Sequence, residues 1–151
     1  MLRSIRLRAL AREAAAFCST LEREQAHPED FWNWRAREAA QGGEAAIFLA
    51  FQQDQLVGMA GIRHIEEQTA DIWGVYLDHE ARGSGLGQAL IQATLDWAQQ
   101  NGHLRVTLEC NQQLTVANRL YQKLGFQPDH RLSTLPDGRV MRGWVSLVDP
   151  Q

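Results

Sequence analysis

Polar and apolar positions alternate at the start of the chain. Arg3, Arg6 and Arg8 interrupt a row in which Ile5, Leu7 and Ala9 share one side, and this predicts a short strand over residues 3–9. From Ala11 to Gln25 the chain turns to Ala and Glu, with Ala14, Phe17, Cys18 and Leu21 at helical spacing, which predicts a helix. Pro28 biases His27 away from helical geometry, and a second helix follows over Asp30–Ala40 with Phe31, Trp32 and Trp34, ending at Gly42-Gly43. Ala46–Phe51 and Leu56–Ile65 read as a hairpin about an acidic tip, and Glu66-Glu67-Gln68 makes the next turn. The segment Ala70–Leu77 places Ile72 and Tyr76 on one face and Trp73, Val75 and Leu77 on the other. Both faces are apolar, as in a central strand.

A helix running to Gln100 carries Leu86, Leu90, Ala93 and Trp97 as one stripe and ends at Asn101-Gly102. Leu104, Val106 and Leu108 alternate as a strand, and Thr115–Lys123 is a short helix stopped by Gly125. Phe126–Ser133 and Val140–Val148 are strands on either side of the turn Leu135-Pro136-Asp137-Gly138. The predicted order is β-α-α-β-β-β-α-β-α-β-β, an α+β (mixed α/β) arrangement in one domain over residues 1–151.

Composition narrows the classes. The 151 residues are 44% hydrophobic and carry 15 Lys or Arg against 18 Asp or Glu, a formal charge of −3. That balance argues against a nonspecific nucleic-acid binder. No run approaches the roughly 18 apolar residues needed to span a bilayer. The arginines near the start break any signal-peptide core, so a cytoplasmic protein is expected. Cys18 and Cys110 read as free thiols. The five histidines, at His27, His64, His79, His103 and His130, show no ligand spacing, and no metal is expected.

The informative segment is Arg82-Gly83-Ser84-Gly85-Leu86-Gly87, between a strand and a helix. Glycines permit close backbone approach, and a helix N-terminus presents free N–H groups to an anion such as a phosphate. Arg82 adds a guanidinium for the same anion. The dinucleotide fingerprint fails because Gln88 stands where its last Gly belongs, and no Gly-Lys-Ser/Thr of a Walker loop follows.

With Val75-Tyr76-Leu77-Asp78 before this turn and Leu120-Tyr121-Gln122-Lys123-Leu124-Gly125-Phe126 after it, the chain resembles the GCN5-related N-acetyltransferase (GNAT) superfamily. The resemblance implies an acyl-CoA N-acyltransferase fold: a mixed, mostly antiparallel sheet, splayed after its fourth strand, with flanking helices and acetyl-CoA in the splay. It implies that the backbone of Val75 and Leu77 pairs with the pantetheine arm and that Arg82, Gly83, Ser84, Gly85, Leu86 and Gly87 wrap the pyrophosphate. It places Tyr121 as the acid that protonates the departing thiolate and Ala117 as the small residue beside the cofactor. Leu114 stands where the family often has Asn, with Asn111 and Asn118 near enough to offer polar contacts to the cofactor arm.

The implied reaction is acetyl transfer to a primary amine of a small molecule or protein, by direct attack in a ternary complex. An alkylamine must lose a proton first. Glu109, at the end of its strand and near the splay, is a candidate base, and His64, Glu66 and Asp71, which flank the turn before Ala70–Leu77, are others. Trp73 and Trp32 are expected to wall the acceptor pocket. A non-catalytic acyl-CoA-binding module on the same fold is the alternative. The expected partner is a small-molecule or peptide amine, without nucleic acid or membrane, in a monomer or homodimer.

Overall fold

The structure, a computed structural model, describes residues 1–149. The chain opens on helices: α1 (Leu2–Arg12), a single 3-10 turn at Ala14–Ala16, α2 (Leu21–Gln25) and α3 (Glu29–Gln41). Strands β1 (Ala45–Gln52), β2 (Gln55–Glu66) and β3 (Thr69–Leu77) follow, then α4 (Leu86–Gln100), β4 (Arg105–Asn111), α5 (Thr115–Lys123), β5 (Gln127–Thr134) and β6 (Val140–Leu147).

Residues 3–9 are therefore helix and not the expected strand. Over so short a window two periods coexist: Ile5, Leu7 and Ala9 alternate, but Leu2, Ile5, Arg6, Ala9 and Leu10 fall on one helical face, and these are the buried residues. Leu, Arg and Ala are strong helix formers, and that preference decides between the two patterns. The helix expected over Ala11–Gln25 is broken at Phe17–Thr20. Thr20 caps α2, its hydroxyl accepting from the Arg23 amide at 3.2 Å.

Six strands form one sheet in the order β1-β2-β3-β4-β6-β5. All neighbours are antiparallel except β3 and β4, which pair in parallel only through Thr69–Arg105, Ala70–Val106 and Asp71–Thr107. Beyond Asp71 the two strands part, so the splay follows the third strand of the chain, the expected first strand being α1. The cause is local to β3. Its register against β2 slips between Gly61–Trp73 and Met59–Tyr76, setting Gly74 and Val75 opposite Ala60 alone. Gly74 holds φ at +65°, as such a bulge requires, and a bulge bends and twists its strand away from the old direction.

The bulge also exchanges faces. Trp73 and Tyr76 lie on one side of the sheet and Ile72 and Val75 on the other, so Trp73 does not share a face with Val75 as strict alternation predicts. On one side Ile72, Val106 and Leu108 pack on Ile91, Leu95, Trp97 and Ala98 of α4. On the other, Met59 and Tyr76 pack on Leu2, Ile5, Ala9 and Leu10 of α1 and on Trp32 of α3. No helix among the described residues is long and apolar enough to cross a membrane.

Candidate active site

The splay opens a cavity of about 790 Å³. One wall is β3 from Ile72 to Leu77 and the other is β4 at Leu108–Cys110 with α5, including Ala117 and Tyr121. The floor of its far end is the turn before α4, with Arg82, Gly83, Gly85 and Gly87. Arg12, Glu13 and Ala15–Phe17 close it from the α1 side.

Because β4 is absent as a partner past Asp71, the β3 edge from Ile72 to Leu77 keeps backbone groups that no neighbouring strand satisfies. An extended chain of amide groups laid there would pair with them as an added strand. At the turn, Gly83 and Gly85 hold φ at +79° and +83°, and no heavy atom lies within 4 Å of where a side chain on either would begin. Gly85 is the N-cap of α4. This end of the cavity therefore presents bare helix N–H groups to an open space, the requirement for an anion seat.

Ser84 and Leu86 belong to the same turn but do not line the cavity, and the Ser84 hydroxyl donates to the Ala81 carbonyl at 2.5 Å. Arg82 does line it, forming an ion pair with Glu13 and donating from Nε to the Leu77 carbonyl at 3.2 Å. Nothing in the sequence marks Glu13 as a site residue. Only the return of α1 over the sheet brings it opposite Arg82.

The turn is anchored by a buried carboxylate. Asp78 accepts from the Tyr76 hydroxyl at 2.6 Å, from Arg8 Nη1 at 2.8 Å and from Arg12 Nη1 at 3.4 Å. This cluster ties α1 to the end of β3, just where the chain turns towards Arg82. Burial, then the Asp78 carboxylate, pushes the Tyr76 phenol up.

Tyr121 is buried on α5 with its ring edge-on to Phe126, at 5.9 Å between centroids. Its hydroxyl makes no hydrogen bond to the described residues. Burial, reinforced by the nearby Cys110 thiol, drives its pKa far above the ordinary tyrosine value, so the phenol keeps its proton. Burial also pushes Cys110 up to about 11, which leaves it a thiol at neutral pH.

Glu109 lines the cavity from β4 with an exposed side chain. Trp73 lines it from β3, its indole flat against Gly61, where an added side chain would collide with the ring. Two expected site residues lie elsewhere. Trp32 is 3% exposed and belongs to the core between α1 and α3, so it walls no pocket. Asn118 has both ends of its amide engaged: Nδ2 donates to the carbonyls of Asn111 and Leu114, and Oδ1 accepts from Trp144 Nε1 at 3.0 Å. It fastens α5 to β4 and β6 and does not line the cavity. Asn111 donates instead to the Ala15 carbonyl at 3.0 Å.

His64 and Glu66 sit at the far end of β2, and His64 Nδ1 lies 3.2 Å from His103 Nε2. Asp71 ends the β3–β4 pairing, accepting from the Thr107 hydroxyl at 2.8 Å, and burial pushes its pKa up. A raised carboxylate pKa means that the folded chain holds this proton more tightly than the unfolded one, so ionised Asp71 opposes folding above the unfolded value. Asp71→Asn is thus expected to raise Tm at pH 7, with the gain shrinking as pH falls through the folded pKa. Paired melts at neutral and acid pH check this, and an unchanged or lower Tm at pH 7 contradicts it.

The acetyltransferase (GNAT) family model matches residues 7–126. The chain belongs to this family. A ribosomal-protein-serine acetyltransferase of Escherichia coli (strain K12) is 32% identical over 89 residues, 57% of this chain and 49% of that protein. A ribosomal-protein-alanine N-acetyltransferase from Brucella melitensis superposes with a TM-score of 0.77 at 19% identity, covering 97% of this chain and 92% of that one. A ribosomal L7/L12 alpha-N-protein acetyltransferase in complex with coenzyme A does so with a TM-score of 0.76 at 18% identity, covering 99% and 88%. The chain spans under half the length of the curated relatives it matches. The GNAT fold is the one described above, and acetyl-CoA is the acyl donor of the family.

Proposed function

We propose that this GNAT chain transfers an acetyl group from acetyl-CoA to a primary amine of a small molecule or a protein, by direct attack while both are bound. What supports this most is one cavity that joins an unpaired β3 edge, a bare helix N-terminus and a protonated Tyr121. Acetyl-CoA, when bound, supplies an activated thioester. The backbone of Val75 and Leu77 takes the pantetheine amides, and the turn from Arg82 to Gly87 takes the pyrophosphate. For Arg82 to serve there, its ion pair with Glu13 is exchanged for the phosphate oxygens.

A backbone N–H on the β3 edge, directed at the carbonyl oxygen, stabilises the charge that develops as the amine attacks. Glu109 receives the proton of the incoming ammonium and passes it to solvent. Tyr121 donates its proton to the leaving sulfur and regains one, by way of solvent, from the nitrogen, which gives up its second proton as the amide forms. Trp73 walls the acceptor side. Cys110, held as a thiol, takes no part as an acyl carrier.

Initial rates measured against both substrates test direct attack. Intersecting double-reciprocal lines are expected, and parallel lines, the mark of an acyl-enzyme, contradict it. For the pyrophosphate seat, Gly85→Val places a branched side chain at φ +83° in the open end of the cavity. Its calorimetric Kd for acetyl-CoA is expected to rise by about tenfold or more, equivalent to about 1.4 kcal/mol. An unchanged Kd removes the turn from cofactor binding.

A further inference from the structure

Behind the acceptor-side wall lies a buried cluster with more positive charge than it can satisfy. Arg6, on the inner face of α1, is only 6% exposed. Its Nη2 donates to Glu24 Oε1 at 3.1 Å, but Nε and Nη1 are sealed from solvent and have no partner among the described residues. Glu24 is equally buried, and its second oxygen lies 3.9 Å from Arg35 Nη1, too far for a good hydrogen bond. Arg35 rests 4.0 Å above the Trp73 ring. Two guanidiniums thus share one carboxylate, and Arg63 of β2 acts on Arg35 with the same sign. Buried donors without acceptors are rare in folded proteins, and a bound anion is among their ordinary explanations.

The place of these donors is informative. The Arg6 guanidinium sits between the rings of Phe17 and Trp73, 5.0 and 5.8 Å from their centroids. Its Nη1 is 3.4 Å from where a side chain on Gly74 would begin. Phe17, Trp73 and Gly74 all line the cavity, so the orphan donors lie one ring behind its surface, at the β3 bulge. Phe17 is carried on the segment between α1 and α2, fixed by Arg139, whose Nη1 is 2.9 Å from the carbonyls of Ala14, Ala15 and Phe17. For Nη1 to meet the cavity, the buried Phe17 ring has to swing aside.

We propose that Arg6 is a specificity-determining residue that receives the acceptor's carboxylate, and that the acceptor is an α-amino acid. This rests on the acetyl-transfer reading above. The amine must meet the thioester beside the same bulge that Arg6 flanks, and a carboxylate on the carbon next to the amine is the anion that stays near enough to reach it. A carboxylate also supplies what the cluster lacks, an acceptor for Nη1 and a second negative charge against Arg6 and Arg35.

Thiol release is to be measured with leucine, phenylalanine and glutamate, and with the carboxamide and decarboxylated amine of each. The acids are expected to exceed the analogues that lack the α-carboxylate in kcat/KM by about a hundredfold or more, since an analogue that cannot fill a buried polar site is strongly rejected. Arg6→Met is expected to erase that preference while leaving the calorimetric Kd for acetyl-CoA unchanged. The wild-type comparison stands if this variant does not fold. Equal or better use of amides and amines overturns the assignment, as does a preference that survives Arg6→Met.

A second arm is independent of turnover: each acid and its amide are titrated into protein saturated with coenzyme A. Binding of acids but not amides supports the Arg6 site even if no acetyl group moves, which would count against the transfer reading alone. Binding of neither, or of both alike, overturns the site.

Discussion

Tyr121→Phe is expected to lower kcat by about a hundredfold, the lower end of what a positioned proton donor contributes, while the Kd for acetyl-CoA stays where it was. The substitution removes one oxygen from a ring already buried and packed on Phe126, and that oxygen has no partner among the described residues to strand. Folding is therefore spared, and the loss falls on the step in which sulfur departs. kcat and kcat/KM should fall together, as they do when an interaction made only in the transition state is deleted. A thioester whose thiol is more acidic needs less help in leaving, so the variant should recover part of its rate with such a donor. Burial keeps the phenol protonated well past its ordinary range, so wild-type activity should show no alkaline loss attributable to Tyr121 near that range. Unchanged turnover in the variant across pH removes Tyr121 from the acid role.

Asp78→Ala is expected to give a large loss of stability. It leaves the Tyr76 hydroxyl and Arg8 Nη1 without the acceptor that held them at 2.6 and 2.8 Å. Breaking one side of a buried charged cluster costs about 3–5 kcal/mol, reduced here to about 2–3 because Arg8 is partly solvated. For a chain of this size that is a fall in Tm of roughly 5–10 °C. The damage should reach the cavity as well, since Asp78 lies between the β3 edge and the turn from Arg82 to Gly87. Asp78→Asn retains an acceptor for Tyr76 and should lose less. A Tm within a degree or so of wild type for Asp78→Ala would show that the cluster holds nothing together.

Most of the sheet and the glycine turn are legible in the sequence because they are written in short-range terms. Alternation marks the strands, Gly-Gly and Asn-Gly end the helices, and the glycines from Gly83 to Gly87 let the chain bend whatever surrounds it. What escapes the sequence is decided at long range or between nearly equal patterns. The first nine residues fit two periods, and the packing of Leu2, Ile5 and Leu10 on Met59 and Tyr76 goes with the helical one. The exchange of faces at Trp73 has a local signal, an isolated Gly74 inside an otherwise strong strand, which is a common mark of a bulge. Trp32 and Asn118 show the opposite case: residue types suited to a site, turned by the fold into a core anchor and a strap. Glu13 and Arg6 carry no mark at all, because each gains its meaning from residues at least eleven positions away, across the first turn of the fold.

The most direct test of the account is release of free thiol from acetyl-CoA across a panel of amines, with the products identified by mass spectrometry. Thiol released in step with an N-acetylated amine, and lost in Tyr121→Phe, is the predicted result. Tight binding of acetyl-CoA with no amine raising thiol release above the buffer rate would contradict acetyl transfer and leave an acyl-CoA-binding module in its place.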